Sequence, residues 1–139
     1  MPHISVIIPV YNAGNYIVDT LNSVLQQTLK DIEVIVVNDG SNDQSLAECY
    51  RLQEIDKRII IINQDNQGVS KARNVGKQNA TGDYIIFIDA DDELDCRMLE
   101  ILYTQARKTD SDISVCGVDR IFEKKQEEKK KYHCNYEEI

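Results

Sequence analysis

The sequence predicts an α/β fold, three layers (α/β/α) built on a largely parallel central sheet. Two observations carry this. Short β-branched runs alternate with stretches whose apolar residues recur at helical spacing, the pattern of repeated strand, helix, strand units. The strand runs are also apolar without interruption, as in strands covered on both faces. With 139 residues, 42% of them apolar and 29% charged, the chain has the size and balance of one globular domain with its own core.

The elements follow in order. Strands are expected over residues 4–9, 33–38, 59–63, 84–89 and 113–117. In the first crossover Ile17, Leu21, Val24, Leu25 and Thr28 recur at helical spacing, with Asn12 or Asn15 available as N-cap. A second helix over 43–55 places Leu46, Cys49 and Tyr50 on one face. Val69, Ala72, Val75 and Gly76 form a short third helix whose small residues suit close packing on a sheet, although Gly76 weakens it. Asp95 caps a fourth, in which Met98, Leu99, Leu102, Tyr103 and Ala106 make an apolar stripe. Beyond Val118 the apolar pattern stops, so the domain is drawn over 1–118. A charged tail over 119–139 includes a mixed run from Glu123 to Lys131, read as a solvated surface helix or a frayed end.

Bulk properties exclude several functions. A net charge of -8 argues against a nucleic-acid partner, which calls for a cationic surface. Acidic residues could instead serve a cation. The first residues lack the basic, apolar and small-residue regions of a signal peptide, and no apolar run approaches a membrane span. The four cysteines are scattered without a CxxC pair, so neither a zinc site nor a disulfide framework is indicated and the thiols are expected to be reduced. The location these features imply is cytoplasmic.

In a parallel sheet with crossovers, ligands sit beyond the carboxyl ends of the strands, where the strand order reverses. Polar residues gather there: Tyr11 and Asn12 after the first strand, Asp39 at the second, Asn63 to Asp65 at the third, and Asp89-Ala90-Asp91-Asp92 at the fourth. In an extended backbone Asp89 and Asp91 project to one side, where hard carboxylate oxygens suit Mg²⁺ or Mn²⁺. The same acids could simply favour the start of the next helix. Asp39 could accept the N3–H of uracil, or bond its own backbone in the turn Asp39-Gly40-Ser41. Arg73 sits on the third helix after Gly68 and Ser70, where a helix start and a cation favour phosphate. Lys71 and Lys77 are ordinary surface cations, and His3 and His133 are assigned no role.

Together these segments resemble the family 2 glycosyltransferases of the GT-A, Rossmann-like fold. The resemblance is carried by Ile4-Ser5-Val6-Ile7-Ile8-Pro9-Val10-Tyr11-Asn12, by Val36-Val37-Asn38-Asp39-Gly40-Ser41, by Asn66-Gln67-Gly68-Val69-Ser70-Lys71-Ala72-Arg73-Asn74, and by Gly82 to Asp92 with its Asp89-Ala90-Asp91 triplet. It implies a nucleotide-sugar donor, with UDP as nucleotide, bound through Mn²⁺ or Mg²⁺. By resemblance Pro9, Val10, Tyr11 and Asp39 surround the base, Arg73 contacts base or phosphate, Asp89 and Ala90 line the ribose and metal region, and Asp91, with Asp89, holds the metal. The acceptor would be a carbohydrate or a lipid-linked saccharide, reached by peripheral association of the whole protein with the inner face of the membrane.

In inverting members a later carboxylate takes the acceptor proton. Asp119 has nothing to recommend it as that base, which is expected beyond Ile139, and the tail reads as the start of an acceptor-binding region cut short. Two alternatives stand beside this. One is a non-catalytic module that binds a nucleotide sugar. The other is a haloacid dehalogenase-type phosphotransferase, whose nucleophilic Asp also follows an apolar strand, usually early in the chain and not before Asp92-Glu93.

Overall fold

The computed structural model describes residues 1–119; most of the charged tail lies outside the described residues. Strands and helices alternate strictly: β1 (Ile4–Val10), α1 (Ile17–Leu25), β2 (Ile32–Asp39), α2 (Ser45–Ile55), β3 (Ile59–Gln64), α3 (Val69–Asn79), β4 (Tyr84–Phe87) and α4 (Met98–Thr109). All pairings are parallel, in the order β3-β2-β1-β4. Every strand therefore ends at one edge, and the order reverses at β1, between β2 and β4. No helix among the described residues is long and apolar enough to cross a membrane.

Continuous apolar runs become two-sided burial only in the central pair. Every residue of β1 is buried, and of β2 all but the half-buried Glu33. Ile4, Val6, Ile8, Val34 and Val36 face a core shared with Ile17, Leu21 and Val24 of α1, Cys49 and Leu52 of α2 and Leu99 of α4. Ile7, Ile35 and Val37 face Ala72 of α3 on the other side. A burial this complete stabilises by about 1.5–3 kcal/mol for each large side chain. The edge strands differ from the expectation: Ile60, Ile85 and Phe87 are exposed, because the helices lie over the central pair.

Gly76 has a packing reason. A Cβ there would clash with Cγ2 of Ile7, so its absence lets α3 lie directly on β1. Cys49, on the covered face of α2, is buried, and burial pushes its thiol up to about 12; Cys96 and Cys116 are exposed.

Several expectations need correction. Residues 113–117 form no strand, and Ile113 and Val115 are exposed. A short β-prone run becomes a strand only by pairing, and among the described residues it pairs with nothing. β4 stops at Phe87; one further ladder bond, Ile88 N–H to the Ile7 carbonyl at 2.9 Å, ends its pairing before Asp89. The N-cap of α1 is Tyr16, not Asn12 or Asn15. Asn12 is drawn elsewhere, its backbone left-handed (φ 48°) and its Oδ1 accepting from the Asn42 N–H at 2.9 Å. Thr28 lies beyond α1. Tyr50 is exposed, so the covered face of α2 is Ser45, Cys49 and Leu52. Asp95 Oδ1 accepts from the Arg97 N–H at 3.0 Å and so caps a turn leading into α4, whose regular helix starts at Met98. His3 is not solitary: its ring stacks on Tyr103, centroids 4.5 Å apart, at the end of the sheet away from the strand tips.

Candidate functional site

At the tips of β1 and β2 the two following loops are laced together by short side chains. Val10 pairs with Asn38 in the sheet register, so the loops start side by side. The Asn12 N–H donates to Ser41 Oγ (3.0 Å), that of Ala13 to Ser45 Oγ (2.9 Å) and that of Gly14 to Asp43 Oδ2 (3.0 Å). Asp43 Oδ1 in turn accepts from the Ser45 N–H at 2.9 Å and from its hydroxyl at 2.5 Å. These bonds fix the backbone under Tyr11, whose ring stays 54% exposed above the strand end. Pro9 and Val10 lie beneath it and are buried, so neither offers side-chain surface to a ligand.

Asp39 is 3% exposed and belongs to a different arrangement from its own turn. Its Oδ1 accepts from Gln64 Nε2 (2.9 Å) and the Gln67 N–H (2.8 Å), and its Oδ2 from the Gly68 N–H (3.0 Å). Burial pushes this carboxyl up, but the Gln64 side chain and the two backbone amides more than offset it, holding it below the usual carboxylate range. A carboxylate has about four lone-pair sites, so capacity remains on Oδ2. Asp39 thereby fastens the loop that launches α3. Gly68, at the N-cap of α3 with φ 94°, makes the turn that a side chain would strain.

α3 carries Arg73 to the tip of β4. Its Nη2 donates to Asp89 Oδ1 at 3.1 Å, while its Nε is enclosed without a protein acceptor. Asp89, Asp91 and Asp92 are gathered by a turn, not by an extended strand: the Asp92 N–H donates to the Asp89 carbonyl at 3.0 Å. All three are exposed, and one carboxylate oxygen from each lies within 4.8 Å of the others. Burial, then the Asp91 and Asp89 charges, push the Asp92 carboxyl up. Three hard oxygen donors whose mutual repulsion is only partly offset by Arg73 suit Mg²⁺ or Mn²⁺, and their exposure leaves room for phosphate oxygens and water in the remaining positions.

The structure thus brings Arg73, Asp89, Asp91 and Asp92 into one cluster, with the Asp39 clamp at the start of α3. Ala90 is buried within the turn, its carbonyl accepting from Thr20 Oγ1 at 2.8 Å. Lys71 and Lys77 are exposed. Sequence reasoning left Asp92 without a role and missed Asp43 and Ser45; the local signal for the latter was an Asp followed two residues later by Ser, an Asx-turn spacing.

Comparison with known proteins gives the family and the fold. The family model described as glycosyl transferase family 2 matches residues 5–138. The glycosyltransferase GlyA of Streptococcus pneumoniae is 46% identical over 112 residues, 81% of this chain and 16% of that protein. A crystal structure of S. aureus TarS in complex with UDP-GlcNAc superposes with a TM-score of 0.73 at 29% identity, covering 86% of this chain and 37% of that one. The mannosyltransferase PcManGT from Pyrobaculum calidifontis, in complex with GDP-Man and Mn²⁺, gives 0.61 at 27% identity over 65% of this chain and 28% of that one. The chain spans less than half the length of each of these proteins.

Proposed function

The chain belongs to glycosyl transferase family 2, and on that premise we propose that it binds a nucleoside diphosphate sugar, with UDP as nucleotide, through Mn²⁺ or Mg²⁺. In the whole protein this serves transfer of the sugar, with inversion, to a carbohydrate or lipid-linked acceptor hydroxyl. A cytoplasmic location, at the inner face of the membrane where the acceptor is lipid-linked, belongs to the same reading. The observation that carries the proposal is the cluster of Asp89, Asp91 and Asp92 beside Arg73 at the reversal point of the sheet. The complexes of TarS with UDP and with UDP-GlcNAc support the choice of nucleotide.

In this reading Tyr11 packs against the base, and the free capacity of Asp39 Oδ2 takes the uracil N3–H. Arg73 orients Asp89 and keeps its enclosed Nε–H for an anionic oxygen of the donor. Asp91, with Asp89 and Asp92, would hold the cation, which when bound supplies Lewis-acid neutralisation of charge on the departing diphosphate. The base for the acceptor hydroxyl is assigned to none of the described residues. Family membership removes the phosphotransferase alternative.

The test is a calorimetric titration with UDP in Mn²⁺ and again in EDTA. Binding in Mn²⁺ that weakens strongly in EDTA is expected; equal affinity in both would end the metal assignment. Preference for UDP over CDP tests Asp39, since cytosine presents an acceptor where uracil presents N3–H.

A further inference from the structure

The covered face of α1 and the residue pair just after it carry polar side chains where apolar ones are the rule. Thr20, Ser23 and Gln27 follow the i, i+3, i+7 spacing of a helix face turned to the core. Thr20 is 1% exposed and Gln27 is fully buried. Burying such groups costs free energy unless each is hydrogen-bonded, and here every partner outside α1 comes from one segment. Besides the Thr20 bond to the Ala90 carbonyl, Ser23 Oγ accepts from the Leu94 N–H at 3.0 Å and donates to the Thr20 carbonyl at 2.7 Å. Gln27 Nε2 donates to the Asp95 carbonyl at 2.5 Å, and its Oε1 accepts from the Leu99 N–H at 3.0 Å.

These attachments fall on both sides of Asp91 and Asp92: Ala90 before them, Leu94, Asp95 and Leu99 after. The three carboxylates repel one another, and among the described residues only Asp89 of the three has a cationic partner, Arg73. Within the acidic turn itself one backbone bond, from the Asp92 N–H to the Asp89 carbonyl, holds the three together among the described residues. We infer that Thr20, Ser23 and Gln27 are positioning residues for the acidic turn: they splint its backbone to α1, so that Asp91 and Asp92 stay gathered before a cation arrives. This preorganisation lowers the cost of binding, because the turn need not be ordered at that moment. The inference rests on the donor-site reading of the cluster.

The test uses Thr20→Val, near in shape but unable to donate, with Thr20→Ser as the conservative rescue and Ser23→Ala as an independent cut of the splint. UDP affinity is measured in Mn²⁺ and in EDTA, and amide exchange over residues 90–99 in metal-free protein. Thr20→Val is expected to weaken binding in Mn²⁺ about tenfold and to leave binding in EDTA unchanged, with Thr20→Ser within about twofold of wild type, the scale of outer-shell losses at metal sites. Exchange over 90–99 should rise in Thr20→Val and Ser23→Ala without metal or ligand. The inference is overturned if both variants keep wild-type Mn²⁺-dependent binding while Asp91→Ala loses it. If Asp91→Ala also keeps it, the donor-site reading fails instead. Should Thr20→Val fail to fold, Ser23→Ala decides by the same criterion.

Discussion

Two carboxylate regions at the same edge of the sheet are treated in opposite ways. Asp39, at the tip of β2, is buried, accepts three hydrogen bonds and is held below the usual carboxylate range. Asp92, on the acidic turn after β4, has its carboxyl pushed up, by partial burial first and then by the Asp91 and Asp89 charges. The first carboxylate is already spent largely on the protein: it ties the loop before α3 to β2. The second group has its charge left over. An acidic residue at a strand tip therefore points to a cation only when its own fold has left its charge unpaired, and by this criterion the proposed metal falls at β4 and the structural clamp at β2.

Substitutions that separate stability from binding sharpen this contrast. The largest effect is expected for Asp39→Ala, which leaves the Gln67 and Gly68 amides and the Gln64 side chain unpaired in a buried place. It should cost about 3 kcal/mol in denaturant unfolding and weaken UDP by about 1.5–3 kcal/mol. A stability unchanged from wild type would break the clamp. Asp91→Ala should do the reverse: UDP affinity in Mn²⁺ falls about 100-fold, roughly 2.7 kcal/mol, while unfolding stability is unchanged or slightly raised as one repelling charge is removed. Gly76→Ala, which alters neither carboxylate group directly, should cost about 1–3 kcal/mol of stability through overpacking against Ile7, with a smaller loss of UDP affinity per folded molecule than Asp91→Ala.

The smallest expected effect is the pH dependence of the clamp. Because the native Asp39 carboxyl lies below its unfolded value of about 3.9, its stabilisation is complete well above that pH and is lost as pH falls through the lower native value. Melting curves of wild type and Asp39→Asn between about pH 6 and 3 should therefore converge toward the acid end. Curves that stay parallel would show that Asp39 does not titrate as described.

The sheet was legible because its signal is local and redundant. Ile4 to Val10 and Val34 to Val37 are apolar on both faces, and only a central strand hides both. The same composition misled at the margins, since Ile60, Ile85, Ile113 and Val115 owe their exposure to what does or does not pack over them, which a linear sequence does not state. The Asp89-Ala90-Asp91 triplet was legible as an acidic cluster at a strand tip, but the expected extended geometry is not what forms: the chain leaves the ladder after Ile88, and a turn recruits Asp92. Asp39 was read as either a base contact or a turn residue bonding its own backbone, whereas its partners lie at the end of β3 and on the loop before α3, 25 to 29 residues away. Thr20 and Gln27 were invisible as a splint because polar residues on a helix read as its solvent face until partners 68 to 72 residues distant close over them.

The most direct measurement is uptake of Mn²⁺ from the free-ion EPR signal, with and without UDP, in wild type and in Asp91→Ala. The wild type is expected to take up a single equivalent, more tightly when UDP is present, since each ligand must strengthen the other by the same factor. Asp91→Ala should lose that uptake while keeping wild-type stability. Equal uptake by the two proteins, or wild-type uptake indifferent to UDP, would contradict the assignment of cation and diphosphate to the tip of β4.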